Sequence, residues 1–199
     1  MLYSYKMTND SGFAPNPFHG IMTLANCKPL IRRKKGKGDI IAGFTSNRLC
    51  REKVGEERLI YIMEVTEKLS YEQYFNDERF ECKIPSDHSL IAKTGDNIYQ
   101  PLVTGFLQLK NWSHENKHMN HDLKGEFVLL STEFFYFGSG AIPVDSFKIQ
   151  RPRFQSAHGV KTDNETEITK LWDYLKANYQ QNIALHQPHS WKKYEPFNQ

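Results

Sequence analysis

The sequence predicts a mixed α+β fold that is mostly β, with helices at its periphery. Short runs rich in β-branched and aromatic residues recur along the chain, and Gly, Asp and Asn turns separate them. A single helical stripe of apolar residues follows near the carboxyl end. The length of 199 residues suits one domain, 1–199. An irregular α+β sheet domain is the alternative to a small closed barrel.

The first half of the chain is predicted to hold three strands and a short helix. Leu2–Met7 alternates between apolar and polar residues, and 39–44 is an apolar run that follows a Gly-Lys-Gly turn. The strongest strand pattern covers 58–66. A short helix is predicted over 70–75, because Ser70 is a good N-cap and a glutamine three residues later can complete a capping box.

The second half is predicted to hold two further strands and one longer helix. The strands cover 126–130 and 133–137, and a Gly-Ser-Gly turn ends the second of them. The helix, at about 165–180, has an apolar stripe with i, i+3, i+4, i+7 spacing and should pack on the β core. The stripe consists of Ile168, Leu171, Trp172 and Leu175.

The composition argues against several classes of protein. No apolar run approaches the roughly 18 residues of a membrane-spanning helix. The amino terminus lacks the pattern of a signal peptide. The three cysteines (Cys27, Cys50 and Cys82) are an odd number without CxxC spacing, so a disulfide framework is not expected. We therefore expect a cytoplasmic protein in a reducing environment, without a membrane partner.

Residues 12–33 form the most distinctive segment. Two prolines flank Asn16 and hold this part of the chain extended, with Phe13 and Phe18 at its ends. The two aromatic rings could hold a nucleobase by stacking, and the Asn16 amide could bind the edge of that base. The alternative is that both phenylalanines fill the core and that the asparagine only serves a turn.

A cationic run follows this segment and overlaps its end. Lys28, Arg32 and Arg33 are candidate phosphate contacts, and Arg32 could bind in a bidentate manner. The alternative is a solvated basic loop. Cys27 precedes Lys28, which could favour a nucleophilic thiolate, but burial as a small core residue is the favoured interpretation.

Four titratable residues are candidate acid–base groups. They are Asp10, His19, Asp39 and Asp96. The last of them lies in a Gly-Asp-Asn-Ile-Tyr stretch, in which Asn97 and Tyr99 are candidate ligand-binding residues. An ordinary turn entering a strand explains the same stretch equally well.

Three histidines cluster between 114 and 121. If that segment were helical, His114, His118 and His121 would share one face, an arrangement able to bind zinc. A solvated loop is the favoured interpretation, so no metal site is assigned, and the sequence identifies no cofactor. The sequence also lacks a P-loop, GxGxxG, HExxH and GxSxG, which argues against the commonest NTPase, dehydrogenase, zincin and α/β-hydrolase schemes.

Two resemblances extend these predictions. The basic turn, the Gly38-Asp39 pair and the apolar strand after them resemble PUA-like barrels of the ASCH and EVE branches, which bind RNA or modified bases. Several stretches together resemble the second nucleotide-modification-associated domain family of bacteria and phages. They are 10–18, Thr23-Leu-Ala-Asn-Cys-Lys-Pro29 with Ile31-Arg32, Gly38-Asp39 and 95–99.

The second resemblance implies a role in making, recognising or processing modified nucleotides, without a mechanism. We expect a nucleotide- or nucleic-acid-binding domain, associated with DNA base modification or phage conflict, that holds a base by stacking and a phosphate by lysine and arginine. The alternatives are an enzyme that processes a modified nucleotide or base, and a protein-interaction domain. The oligomeric state is left open.

Overall fold

The computed structural model describes residues 1–193, which fold into three β-sheets with short helices between the strands. The strands are β1 (Leu2–Lys6), β2 (Met22–Leu24), β3 (Ile40–Phe44), β4 (Leu59–Glu64), β5 (Glu67–Ser70), β6 (Tyr99–Pro101), β7 (Phe106–Gln108), β8 (Phe127–Ser131), β9 (Glu133–Tyr136) and β10 (Val160–Thr162). The α-helices are α1 (Pro29–Lys34), α2 (Asn47–Cys50), α3 (Tyr71–Asn76), α4 (Leu90–Lys93), α5 (Met119–Leu123) and α6 (Glu165–Asn178). Short 3₁₀-helices cover Glu78–Lys83, Asn116–His118, Gly138–Gly140 and His189–Lys193.

The largest sheet has five strands in the order β10-β1-β3-β4-β9. Its only parallel pair is β1 with β3, and the other neighbours are antiparallel. Every residue of β3 is buried, because both faces of this sheet are covered. On one face, Ile40, Ala42 and Phe44 pack in a cluster with α6, whereas Ile41 points into a second cluster on the other face.

The strands of the described residues form separate sheets and no closed barrel, so the PUA-like barrel expected from the sequence is not supported. The order β2-β8-β5 makes an antiparallel three-stranded sheet, and β6 and β7 form a two-stranded hairpin. The observed architecture corresponds to the irregular α+β alternative. That the whole chain is one domain stays a prediction.

The predicted helices are present with nearly the expected bounds. α3 begins after Ser70, whose side chain accepts a hydrogen bond from the backbone N–H of Gln73, and the Gln73 side chain accepts from the backbone N–H of Ser70. α6 begins after the N-cap Asn164 and buries Leu171 and Leu175 against the five-stranded sheet. Among the described residues, no helix is both long and apolar enough to cross a bilayer.

Candidate active site

A strained turn between β2 and α1 holds the half-buried Cys27 at the wall of a cleft. Cys27 and Lys28 both adopt left-handed backbone conformations, with φ of 57° and 42°, which non-glycine residues rarely do. The turn is held from both sides: Asp122 Oδ1 accepts from the Cys27 N–H at 2.7 Å, and Arg32 Nε donates to the Cys27 carbonyl at 2.7 Å. Such strain persists only where surrounding contacts impose it, and it is common at functional sites.

The Cys27 thiol lies in line with a histidine and an aspartate. Its Sγ is 3.4 Å from Nε2 of His114, and Nδ1 of the same ring is 2.7 Å from Oδ2 of Asp122. The hydroxyl of Tyr99 donates to the same carboxylate oxygen at 2.9 Å. This order, nucleophile, base and orienting carboxylate, is the arrangement of nucleophilic catalysis.

Local hydrogen bonds hold the histidine in this position. Asn111 Oδ1 accepts from the backbone N–H groups of Ser113 and His114, which fixes the turn after β7. Gln108 Nε2 donates to the His114 carbonyl at 2.8 Å, and the edge of the Phe13 ring contacts the imidazole, with centroids 4.9 Å apart. The imidazole is thus fixed by both its backbone and its neighbours.

The electrostatics favour a charged imidazole. Burial lowers the pKa of His114, but the hydrogen bonds to Asp122 and Cys27 outweigh burial and raise it to about 9. The pKa of Asp122 is lowered although burial opposes this, chiefly because His114 donates to it. When both ring nitrogens of His114 carry protons, Cys27 Sγ must be the acceptor of the second hydrogen bond. The arrangement therefore favours a charged imidazole that donates to the carboxylate of Asp122 on one side and to the sulfur of Cys27 on the other.

The thiol opens into a small cleft of about 110 Å³. Lys28, Tyr5 and Phe13 form part of its wall, and the ammonium group of Lys28 lies 4.3 Å from the centroid of the Tyr5 ring. Burial lowers the pKa of Lys28, and the neighbouring Cys27 partly offsets this effect. Ser11 and Ser113 line the rim. The cleft thus combines a thiol, an imidazole and an ammonium group.

Arg32 supports this site from the protein interior, and its side chain does not face the cleft. Its side chain is fully buried, and its guanidinium donates to three backbone carbonyls and one hydroxyl. Gly125 lies against the guanidinium so closely that any side chain there would collide with it. The phosphate contact expected of Arg32 is therefore not available in this conformation. Arg33 is exposed and pairs with Glu126 at 3.6 Å.

The two phenylalanines do not form the expected base sandwich. Phe13 and Phe18 are both buried, and Phe18 stacks on Trp191 with centroids 5.5 Å apart. The Asn16 amide is buried as well, donating to the Thr94 carbonyl and accepting from Lys83 Nζ at 2.7 Å. Of these three ligand candidates, only Phe13 reaches the cleft.

The four acid–base candidates lie outside the cleft lining. Asp10 is buried and accepts from Tyr136 and His189. Asp96 is buried and accepts from two hydroxyls, and burial raises its pKa. The carboxylate of Asp39 accepts from the Gly36 N–H in a turn, and His19 is exposed in a separate hollow. Each of the three aspartates thus accepts hydrogen bonds that stabilise the fold.

Of the remaining candidates, Tyr99 joins the site and Asn97 does not. Tyr99 supports Asp122, as described above, whereas the buried Asn97 amide donates to two backbone carbonyls. The three histidines do not share a helical face, because His114 precedes the helical segment and His121 is exposed. No group of three or more potential ligands is arranged for a metal within residues 1–193.

Sequence reasoning missed His114 and Asp122 as partners of Cys27. His114 lies 87 positions after Cys27 and Asp122 lies 95 positions after it, so no local sequence pattern could indicate this pairing. The available signals were the thiol beside a lysine and the excess of histidines near 114.

The chain also matches a known protein family. The model of the family described as nucleotide modification associated domain 2 matches residues 1–195. The chain belongs to this family. No curated protein and no solved structure gives a significant match.

For this nucleotide modification associated domain 2 protein, membership suggests a role in nucleotide modification. The match covers the turn of Cys27, the loop of His114 and the helix of Asp122 together. The family resemblance seen in the sequence is confirmed.

Proposed function

We propose that this protein is a thiol-dependent enzyme of nucleotide modification. Cys27 is the nucleophile, His114 is the general acid and base, and Asp122 orients and charges the imidazole. The single observation that carries the proposal is the line of Cys27, His114 and Asp122 at the edge of an open cleft. The family description, nucleotide modification, supports a nucleotide as the class of substrate.

The reaction class that fits these groups best is acyl transfer. The thiolate of Cys27 attacks a carbonyl carbon, a C–S bond forms, and the bond from that carbon to the leaving group breaks. The leaving group departs with the electron pair and takes the Nε2 proton of His114. Water or an amine then attacks the thioester, gives its proton to the neutral His114, and releases Cys27 as thiolate. No oxidant or reductant is needed.

Lys28 supplies the cation of the cleft. Its ammonium group is partly withdrawn from solvent over the Tyr5 ring, where a charge acts more strongly than in water. We assign Lys28 to the developing oxyanion. Of the ligand-binding residues that the sequence predicted, Lys28 and Phe13 line the cleft, whereas Arg32 and Phe18 do not.

Site-specific alkylation tests the proposal. Wild-type protein is treated with iodoacetamide between pH 5 and 9, and the modification of each cysteine is followed by mass spectrometry. We expect Cys27 to react about tenfold faster than the exposed Cys82 at pH 6, because the charged imidazole of His114 lies 3.4 Å from its sulfur and stabilises negative charge on the attacking atom. His114→Ala should remove this difference. The proposal fails if Cys27 and Cys82 react alike, or if His114→Ala leaves the ratio unchanged.

Acyl transfer has its own test. 4-Nitrophenyl acetate should release nitrophenol in a burst while one acetyl group is added to the protein, and peptide mapping should place it on Cys27. Cys27→Ser should lose the burst, whereas Cys82→Ser should keep it. Acetylation spread over lysines without a burst would contradict the assignment of an acyl-transfer enzyme.

A further inference from the structure

An exposed tryptophan lies beside the proposed active site. Trp112 is 52% exposed and is only two residues from His114, so their Cα atoms are at most about 7 Å apart. It follows β7 and belongs to the same loop that positions the imidazole. Trp112 does not belong to the core clusters described above. Its large aromatic ring is exposed near the thiol of Cys27.

The cleft of Cys27 adjoins a hollow beside this ring. Asn9, Ser11 and Ser113 line the cleft of Cys27, and the same three residues line a neighbouring hollow of about 240 Å³. Trp112 forms part of the wall of that second hollow. A ligand on the tryptophan therefore lies next to the cleft, with only these three shared residues between the two hollows.

Beyond Trp112 the surface is cationic. A third hollow, of about 180 Å³, is lined by Trp112, Lys93, Lys110 and Asp87, so two lysines face one aspartate. The ammonium group of Lys93 lies 4.7 Å from the centroid of the Trp112 ring. An aromatic face with ammonium groups beside it suits a ligand that has both a flat ring and a phosphate.

We propose that Trp112 is the stacking platform for the nucleobase of a nucleoside 5′-phosphate, and that Lys93 and Lys110 contact its phosphate. The inference rests on the proposed function only for the reaction that follows binding. The cleft of about 110 Å³ is small, so it takes the reacting substituent while the base stays on Trp112. The shared chemistry, a base and a phosphate, belongs equally to a free nucleotide and to single-stranded nucleic acid.

Binding measurements test the platform. Affinities are measured by calorimetry for deoxynucleoside monophosphates and by fluorescence anisotropy for a labelled single-stranded oligonucleotide, both at low salt. Because stacking contributes about 1–3 kcal/mol per base, Trp112→Ala should weaken binding about 5- to 150-fold, and Trp112→Phe should restore most of it. Phe154→Ala, at another exposed aromatic ring, should bind as the wild type does.

The lysines have a matched test. Lys93→Gln should weaken binding and reduce its salt dependence, whereas Lys53→Gln, at an exposed lysine outside these hollows, should change neither. Binding of the monophosphates as tight as that of the oligonucleotide identifies a free nucleotide as the ligand, and much tighter binding of the oligonucleotide identifies a strand. Either result supports the platform if Trp112→Ala weakens it. Unchanged affinity in Trp112→Ala, or no binding of either ligand, overturns the inference.

The proposed function and this inference fail separately. The alkylation rate of Cys27 in the ligand-free wild type tests the thiol chemistry, and nucleotide affinity tests the platform. A nucleotide bound on Trp112 should also slow alkylation of Cys27 in the wild type and not in Trp112→Ala. If Cys27 is reactive but Trp112→Ala does not change nucleotide binding, the proposed thiol chemistry is retained and the proposed binding site at Trp112 is wrong.

Discussion

The imidazole of His114 lies between a carboxylate and a thiol, and this position determines its charge. Asp122 holds one ring nitrogen as a donor, and the protonated ring offers the second nitrogen to Cys27. Burial alone would favour the neutral ring. The pKa of about 9 therefore reflects two hydrogen bonds that overcome desolvation, and it makes the protonation of His114 a stabilising contact as well as a chemical one.

The stability of the protein should consequently depend on pH through His114. Its folded-state pKa of about 9 exceeds the ordinary value of 6.5, so its contribution is complete below pH 6.5 and is lost as pH rises through 9. The contribution is on the order of 3 kcal/mol. Urea unfolding of the wild type between pH 6 and 9.5 should show this decline, and His114→Gln should not. Parallel curves for the two proteins would contradict the charged imidazole.

Arg32 and Arg33 are adjacent but have different roles. The Arg32 guanidinium holds the backbone of the Cys27 turn from inside the protein, whereas Arg33 lies at the surface. A buried charge whose donors are satisfied by carbonyls cannot be removed without leaving those carbonyls unpaired.

Substitution of the two arginines should separate these roles. Arg32→Gln should lower the free energy of unfolding by about 3 kcal/mol or more, because Gln cannot satisfy the same carbonyls. Arg33→Gln should change it by less than about 0.5 kcal/mol, since its ion pair is exposed. Chemical denaturation measures both. Equal effects of the two substitutions would contradict the buried support of the turn.

At the scale of elements, local sequence patterns correctly predicted the helices, because these depend on interactions between residues close in sequence. The capping box of Ser70 and the apolar stripe of α6 depend on residues within a few positions of each other, and both are present in the structure. The arrangement of strands depends on pairings between distant residues, such as the parallel pair of β1 with β3. The sequence pattern shows that a strand is apolar but not which neighbour it pairs with, so the barrel was expected where three sheets occur.

The same reason limited prediction of the site. Lys28 and Phe13 were predicted as ligand contacts from a local segment, and they line the cleft together with Cys27, for which burial in the core was the favoured interpretation. His114 reaches the thiol from a loop 87 residues later, and Asp122 reaches the backbone N–H of Cys27 from a helix 95 residues later, which only the fold can show. Charge alone also selected Arg32, because a sequence does not distinguish a buried guanidinium from an exposed one.

The helix α6 should matter for stability and not for the thiol. It packs on the face of the five-stranded sheet that Ile40 and Ala42 share, and Tyr5 of the cleft lies in the cluster on the other face. Leu175→Ala should lower the free energy of unfolding by about 2–5 kcal/mol. The alkylation rate of Cys27 in the folded protein should stay unchanged.

Lys176→Ala, at the exposed neighbour of Leu175, is the control for that substitution and should have little effect on stability. Unfolding in urea and alkylation at pH 6 measure the two properties on the same samples. A slower reaction of Cys27 in Leu175→Ala would mean that the two faces of the sheet are coupled.

At the scale of the whole molecule, Asp10 joins the two ends of the described chain. Its carboxylate accepts from the Tyr136 hydroxyl at 2.5 Å and from the His189 backbone N–H at 3.0 Å. The indole of Trp191 donates to the Ser11 carbonyl at 3.0 Å, so the last described helix closes over the loop that begins at Asn9. Asn9 and Ser11 line both the cleft of Cys27 and the hollow beside Trp112. The closure of the chain and the shape of the site are therefore linked.

Asp10→Ala should weaken both the closure of the chain and ligand binding at the site. We expect about 3 kcal/mol less stability, because a buried tyrosine hydroxyl and a backbone N–H lose their acceptor. Hydrogen exchange should become faster together in 9–13, 134–137 and 186–191, and nucleotide affinity should fall with it. Asp163→Ala, at an exposed aspartate, is the matched control. If Asp10→Ala removed an acid–base group instead, the stability and the exchange rates would stay as in the wild type, and only turnover would fall.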